Sequence, residues 1–353
     1  MSLVRRSSPR TRRLLSVAGA LAATALVLTG CSSANGSGVS SDGSAKLKLV
    51  LEWYPDPESG GFYAARSTGL YDKAGLDVSI QPGGPNVSAT QIVAGGRAQI
   101  GLAEAPALAQ ARADGIPVVA IGAMYQTNPA GVMVHADSGM KKIEDTAGRT
   151  WVVSTGQVGP DWVKQKYGIG FKTQAYSGSI ANFLKNDGLV QQGWPTSEQY
   201  QAGKQGVRTT FFSYADTGYN PYGDVIFTTE SFLKEHPDQV KAFLKSSMQG
   251  WADYMSDLKV ARTAQAAMRK ANKEESSEVM WYAWQEQRTF ITSHEGAGQL
   301  GAMTKERWST LLSQLRKVGA LKKTVDVDDL YDSSYLPDIE APASLPKAPD
   351  GSF

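Results

Sequence analysis

The 353-residue chain is 41% hydrophobic and 20% charged, the balance of a soluble globular protein with enough length for two domains around a full core. Its formal charge of +2 comes from residues 1–30, which hold Arg5, Arg6, Arg10, Arg12 and Arg13 and no acid; the rest carries 31 basic against 34 acidic residues. No basic stripe survives, which excludes nucleic acid as a partner, and a single cysteine, Cys31, excludes an intrachain disulfide or a cysteine metal cluster.

Residues 1–30 read as an export signal. A basic segment precedes the apolar run Leu14–Leu28, which is too short to favour a spanning helix. The run ends in Leu28-Thr29-Gly30-Cys31, which resembles the bacterial lipobox, where cleavage precedes the cysteine and its thiol receives a lipid. Arg12-Arg13-Leu14-Leu15 also resembles a twin-arginine signal, which leaves the export route open. Residues 31–45, rich in Ser, Gly and Ala, form a flexible tether with a reach of about 20 Å. The expectation is a body anchored through Cys31 at the extracytoplasmic face of a bacterial cell membrane.

The stretch LKLVLEWYPDPESGGFYAA, Leu47–Ala65, follows: an apolar strand ends on Glu52, Trp53 and Tyr54, a Pro/Gly turn intervenes, and a helix begins. In an open α/β sheet, ligands sit between a strand's carboxyl end and the next helix start. Beyond it, strands Leu76–Gln81, Ala98–Leu102 and Val118–Tyr125 alternate with helices that stop at Gly95-Gly96 and Asp114-Gly115. That alternation predicts a mostly parallel sheet covered by helices. Near Asn128-Pro129 the chain crosses into a second lobe. Its strands are Val132–His135, Thr150–Val153, Lys172–Ala175, Leu189–Gly193 and Val207–Phe212. Its helices are Ile143–Ala147, Ser179–Asn186, Pro195–Ala202 and one opened by Ser154-Thr155-Gly156. Strand Tyr222–Thr228 returns to the first lobe. From Thr229 the pattern is helical: Val240, Phe243, Leu244, Met248 and Trp251 form an i, i+3, i+4 stripe, as do Trp308, Leu311, Leu312 and Leu315 after a Thr304 cap. The Pro-rich tail after Tyr335 reads as an extended strap.

LEWYPDPESGGFYAARSTGLYDKAGLDVSI and GGRAQIGLAEAPALAQARADGIPVVAIGAMYQTNPAGVMV resemble the solute-binding proteins of nitrate-, sulfonate- and taurine-type ABC importers (the SsuA/THI-like group). GYNPYGDVIFTTESFLKEHPDQVKAFLKSSMQGW and TKERWSTLLSQLRKVGAL continue the likeness, which runs from Lys46 to Pro337. Within the group the chain is most similar to the branch that binds thiamine pyrimidine precursors, and its Pro82-Gly83-Gly84-Pro85 turn and Tyr125-Gln126 pair are reminiscent of riboflavin-binding relatives. The resemblance implies a periplasmic-binding-protein-like α/β fold of type II, two lobes joined by a two-strand hinge. Lobe 1 would hold residues 46–128 and 226–353, and lobe 2 residues 129–225. It implies a monomer that closes over a small-molecule ligand and delivers it to a permease and ATPase, with no cofactor and no metal.

Four groups are expected at the cleft: Glu52, Trp53 and Tyr54 with the helix start at Ser59 and Gly60; Glu104; Tyr125; and, from lobe 2, Ser154, Thr155, Trp194 and Glu198 with Asp216 or Tyr219. Trp and Tyr stack on an aromatic ring, and carboxylates accept bonds from an amino group or ring N–H. Arg97, Arg149 and Arg208 precede their strands, on the opposite side, so the cleft holds acids and aromatics without a cation. A neutral or cationic heterocycle of the hydroxymethylpyrimidine or riboflavin type fits better than an anion, although Ser154-Thr155 before a helix leaves a nitrate or sulfonate site open. Against the pyrimidine branch, Glu58 and Ser59 replace an Asn-His pair and Ser197-Glu198 an Asn-Glu pair. A pyrimidine-synthase-like enzyme is the rival reading. That group resembles the same fold but uses a Cys-rich motif and a reactive His, whereas here His135, His236 and His294 lie far apart and no catalytic motif appears.

Overall fold

In a computed structural model, which describes residues 43–352, ten strands form two five-stranded mixed sheets. The export signal 1–30, Cys31 and most of the 31–45 tether lie outside the described residues. The strands are β1 (Ala45–Val50), β2 (Leu76–Gln81), β3 (Ile100–Ala103), β4 (Val118–Tyr125), β5 (Gly131–His135), β6 (Thr150–Val153), β7 (Lys172–Ala175), β8 (Leu189–Gly193), β9 (Thr209–Ser213) and β10 (Gly223–Thr229). The first sheet has the order β2-β1-β3-β10-β4 and the second β7-β6-β8-β5-β9. In each, one strand runs against the others: β10 pairs antiparallel with β3 and β4, and β5 antiparallel with β8 and β9. Both odd strands are the first reached after the chain passes between sheets, which is why each arrives from the opposite direction.

β4 lies at a sheet edge, yet all eight of its residues are buried. Its free side is closed by other chain: the Ala120 N–H donates to Leu330 O (2.8 Å), Asp332 N–H to Ala120 O (2.8 Å) and Ala123 N–H to Gly301 O (2.9 Å). The opposite solution serves β7, an edge strand of four exposed residues, KTQA, led by a lysine that discourages further pairing.

Apolar periodicity sets the helix faces. Val240, Phe243, Leu244, Met248 and Trp251 of the Pro237–Ser256 helix are fully buried against the Gly60–Ser67 helix. Glycines allow the close approach: a Cβ on Gly61 would lie 2.1 Å from the Trp251 ring, and one on Gly250 2.4 Å from Gly61 O. Lys305–Lys317 buries its own stripe behind the Thr304 cap, whose hydroxyl accepts from Arg307 N–H. The tail runs extended over the first sheet's helices and is tied down where Arg288 Nη1 donates to Pro346 O (2.7 Å).

Several helices are displaced from their expected bounds. The segment after β6 turns helical only at Gly159–Tyr167, so Ser154 and Thr155 do not stand at a helix N-terminus. The Ser154 N–H bonds the Gln192 side chain within the loop, and the helix starts instead at Gly159-Pro160, where the proline's fixed φ suits a first turn. Pro195–Ala202 begins at Glu198 instead, Ser179–Asn186 shrinks to Ala181–Leu184, and Ile143–Thr146 is a 3-10 turn.

The two chain passages, 126–130 and 214–222, run side by side and share one pin. Arg307 Nη2 donates to Gln126 O (2.6 Å) and Asn220 O (3.1 Å), and its guanidinium lies 3.8 Å over the Tyr222 ring. Asn128 N–H donates to Asn220 Oδ1 (2.8 Å), joining the passages directly.

Candidate functional site

β1 delivers Glu52, Trp53 and Tyr54 to the end of the first sheet, where backbone bonds fix them. Gly83 N–H donates to Trp53 O (2.9 Å) and Gly84 N–H to Glu52 O (3.1 Å). A Cβ on Gly83 would lie 2.3 Å from Leu51 O, so only glycine lets the Pro82–Pro85 turn lie this near the strand. The 55–57 turn is held from the helical C-terminal part: Asn272 Nδ2 donates to Pro55 O (3.1 Å) and Gln287 Nε2 to Pro57 O (2.9 Å). Gln287 also accepts from the Tyr125 hydroxyl (2.6 Å), so one buried amide orients both an aromatic and the turn.

Glu52, Asp56, Glu58 and Asp224 line one small cavity of about 10 Å³ together with Trp53 and Tyr54. That is room for about one water molecule. Glu104 stands beside it: the Glu104 backbone N–H bonds the Glu52 carboxyl, and the Asp224 backbone N–H bonds the Glu104 carboxyl. Asn128 Nδ2 donates to Glu104 Oε2 at 2.8 Å. Burial lifts the Glu104 carboxyl to about 7, against the lowering pull of these two donors. Burial first, and then the neighbouring carboxylates, hold Glu52, Asp56, Glu58 and Asp224 well above the usual carboxylate range. The charges acting on these five groups are other acids, with no Lys or Arg among them.

Asp224 is the residue that sequence reasoning missed, along with Asp56. It is 5% exposed, its Oδ2 has no hydrogen-bond partner, and its backbone takes the left-handed φ of 46°. For a non-glycine residue that conformation is uncommon, and strain of this kind clusters at ligand clamps. Read in sequence, Asp224 is one more residue of a strand; only the antiparallel pairing of β10 with β3 brings it to Glu104.

The second sheet contributes aromatics and one fixed acid. Trp194, at the end of β8, meets the Tyr125 ring edge-on at 5.4 Å, and its backbone N–H donates to Glu198 Oε2 (2.9 Å). Glu198 also accepts from the Tyr176 hydroxyl (3.0 Å) and from Ser197 Oγ (2.5 Å). Trp53 reaches across to the second sheet's cluster around Tyr176 and Ile180, while Tyr54, 46% exposed, meets Trp53 edge-on at 5.5 Å. Farther out, the Tyr200 and Tyr282 rings stack at 3.9 Å and the Tyr200 hydroxyl donates to Glu278 (2.9 Å), closing the two halves along another edge.

The remaining expected site residues divide. Ser59 lines the cavity, its buried hydroxyl donating to Asp56 O (2.8 Å), whereas a Cβ on Gly60 would lie 2.0 Å from the Tyr254 ring, so Gly60 packs the turn against the helices. Thr155 is exposed and Ser154 half-buried in the loop before Gly159. Tyr219 is buried and stacks on Trp162 at 5.9 Å; its hydroxyl has no partner and is raised by burial and then by Glu104. Asp216 is exposed, as are Arg97 and Arg149 at the strand starts.

Comparison with known proteins places this geometry. The family described as NMT1/THI5 like matches residues 56–259. The riboflavin-binding protein RibY of Chloroflexus aurantiacus is 20% identical over 311 residues, covering 83% of this chain and 86% of that one. The 4-amino-5-hydroxymethyl-2-methylpyrimidine phosphate synthase THI11 of Saccharomyces cerevisiae is 24% identical over 223 residues, covering 57% of this chain and 64%, just under two thirds, of that one. Among solved structures, the periplasmic aliphatic sulphonate binding protein SsuA of Escherichia coli superposes with a TM-score of 0.64 at 13% identity, covering 87% of this chain and 99% of that one. That likeness establishes a periplasmic-binding-protein fold.

Proposed function

The chain belongs to the NMT1/THI5-like family, and from that premise we propose that it is the solute-binding subunit of an ABC importer. In this reading it captures an aromatic heterocycle, of the aminopyrimidine or riboflavin class, between a lobe of residues 46–128 plus 226–353 and a lobe of residues 129–225. Cys31 carries a lipid that anchors it at the outer face of the membrane, where a permease and ATPase receive the ligand. Trp53, Tyr54, Tyr125 and Trp194 are the stacking surfaces, and Glu52, Glu104 and Glu198 bond the ring's N–H groups.

The observation that carries this reading is a cavity lined by Trp53, Tyr54 and carboxylates with no Lys or Arg acting on them, with Trp194 of the second sheet edge-on to Tyr125 of the first. Such walls suit a flat ring bearing amino groups and repel a sulfonate or nitrate, which needs a cation or free helix N-termini. A ligand larger than the present cavity enters by separation of the lobes and favours the closed form because each lobe supplies part of its contacts. The named activity of the yeast relative invites a second reading as a synthase. Against it, His135 donates from Nε2 to Phe183 O (2.8 Å), His236 joins two helices and His294 opens a 3-10 turn, and none of the three is among the groups acting on the carboxylates.

A thermal-shift panel tests the proposal, using 4-amino-5-hydroxymethyl-2-methylpyrimidine, formylaminopyrimidine, thiamine, riboflavin, nitrate, taurine and an alkanesulfonate. A heterocycle at a hundred times its dissociation constant should stabilise the protein by about 2.7 kcal/mol, and Trp53→Ala and Glu198→Ala should each weaken that effect. Stabilisation by the anions alone, or turnover of a heterocycle by the purified protein, would overturn it.

A further inference from the structure

We propose that Asp224, with Glu104 and Glu52, forms a subsite that takes a nitrogen base as its cation, an amidinium or protonated aminopyrimidine head. This deepens the solute-binding reading and rests on it for the location of the ligand. Two independent observations meet at one place. The first is the arrangement of carboxyls: Glu52, Asp56, Glu58 and Asp224 around one cavity, linked to Glu104 by backbone N–H bonds. The second is Asp224 itself, a residue only 5% exposed that lines this cavity and whose Oδ2 lacks a hydrogen-bond partner. A buried carboxylate oxygen left unbonded is costly. Here it sits on a backbone turned to φ 46°, a conformation that only a specific local demand retains.

An amidine-type head answers that demand. It presents two parallel N–H donors and one delocalised positive charge, the complement of a carboxylate with a free acceptor. Among the described residues no group of three or more His, Cys, Asp and Glu is arranged to hold a metal ion, so spacing and geometry favour an organic cation. The groups facing the subsite are Glu52, Glu104 and Asp56 toward Asp224; Asp56, Asp224, Glu198 and Glu104 toward Glu58; and the Tyr125 hydroxyl, raised by burial and then by Glu58 and Asp224. All are acids or neutral hydroxyls. Burial raises these carboxyls, so a carboxyl that is protonated in the empty site gives its proton to a neutral base as that base binds: the carboxyl O–H breaks, the ring N–H forms, and an ion pair results. A base that is already a cation instead expels the proton to water. Binding of a permanent cation therefore weakens as pH falls through about 7, where Glu104 titrates.

The test compares benzamidine, benzamide and 4-amino-5-hydroxymethyl-2-methylpyrimidine on the full chain by calorimetry between pH 5.5 and 8. Benzamidine should bind at least tenfold tighter than neutral benzamide at pH 8, lose up to about tenfold in affinity per pH unit below about 7, and release a proton. Asp224→Asn, which keeps a side chain tolerant of positive φ, and Glu104→Gln should each weaken benzamidine and the aminopyrimidine at least tenfold and abolish the preference over benzamide. Equal binding of benzamidine and benzamide, or unchanged affinity in both folded variants, overturns the subsite even if the aminopyrimidine binds. Saturation by Mg²⁺ or Ca²⁺ in competition with benzamidine overturns it in favour of a metal. If neither pyrimidine nor riboflavin binds while benzamidine does so through Asp224, the cation subsite stands and the heterocycle reading falls.

Discussion

Glu104 and Asp224 illustrate how differently two acids of one pocket present themselves in a sequence. Glu104 closes a strand and precedes Ala105-Pro106, a helix start, so local pattern alone puts it at a sheet end. Asp224 has no such flag, because its proximity to Glu104 depends on pairing between β10 and β3, more than a hundred residues apart in the chain. Burial gives Glu104 a testable signature. Its ordinary value is 4.5, and in the folded chain it is about 7. Below pH 4.5 the carboxyl is protonated whether folded or not. Between the two values the folded chain binds more protons than the unfolded one, so stability falls as pH rises, with the full penalty reached above about 7. For this half-buried group that penalty is on the order of 1–3 kcal/mol. Glu104→Gln should therefore stabilise the ligand-free protein at pH 8 by about 1 kcal/mol or more and flatten its pH dependence; urea unfolding at pH 5 and pH 8 measures both. A variant less stable at pH 8 would contradict the direction of the shift.

Elements were the most legible level, and their failures are instructive. β2, β4, β6, β7 and β8 have the bounds that apolar runs and turn residues imply, and the two long amphipathic helices bury the stripes read from their spacing. Starts of short helices were not legible, because a Ser-Thr pair becomes a cap only if the residues after it turn helical, and contacts from elsewhere in the chain decide that. At Ser154 a side chain from the neighbouring strand bonds the backbone N–H. Helix contacts across sequence were also invisible, although they decide what a glycine is for. Gly250→Ala would drive a methyl to within 2.4 Å of Gly61 O and 2.7 Å of Ala65 Cβ, and should destabilise by about 1–3 kcal/mol or prevent folding. Gly203, in the Glu198–Lys204 helix, has nothing within 4 Å of the place a methyl would take, so Gly203→Ala should stabilise by about 0.5–1 kcal/mol. Chemical denaturation of the two variants gives opposite signs if the packing is as described and the same sign if it is not.

On the scale of the whole molecule, alternation of strands and helices was enough to infer two sheets and a double passage between them. The pin that holds the passages was not, since nothing about Arg307 in sequence distinguishes it from the other basic residues of an amphipathic helix. With Gln126 and Asn220 both bonded to that one guanidinium, any relative motion of the proposed lobes is expected beyond it, in the peptides leading to Gly131 and away from Ser213. The tryptophans are distributed with a consequence for how such motion can be watched. Of the eight, Trp151, Trp251, Trp284 and Trp308 are fully buried and Trp162 and Trp281 nearly so, which leaves two half-buried indoles, Trp53 lining the cavity and Trp194 edge-on to Tyr125. Intrinsic emission is thus divided between a constant interior background and two reporters that stand on opposite sheets. Ligand addition should change the emission of the unlabelled protein and its accessibility to a neutral quencher such as acrylamide. Replacing both Trp53 and Trp194 by Phe should leave the background spectrum in place and silence the response, whereas a response that survives the double replacement would move the ligand elsewhere. If the proposed lobes open and close, the protein carries its own optical probe of that motion, with one indole at the end of a strand in each sheet.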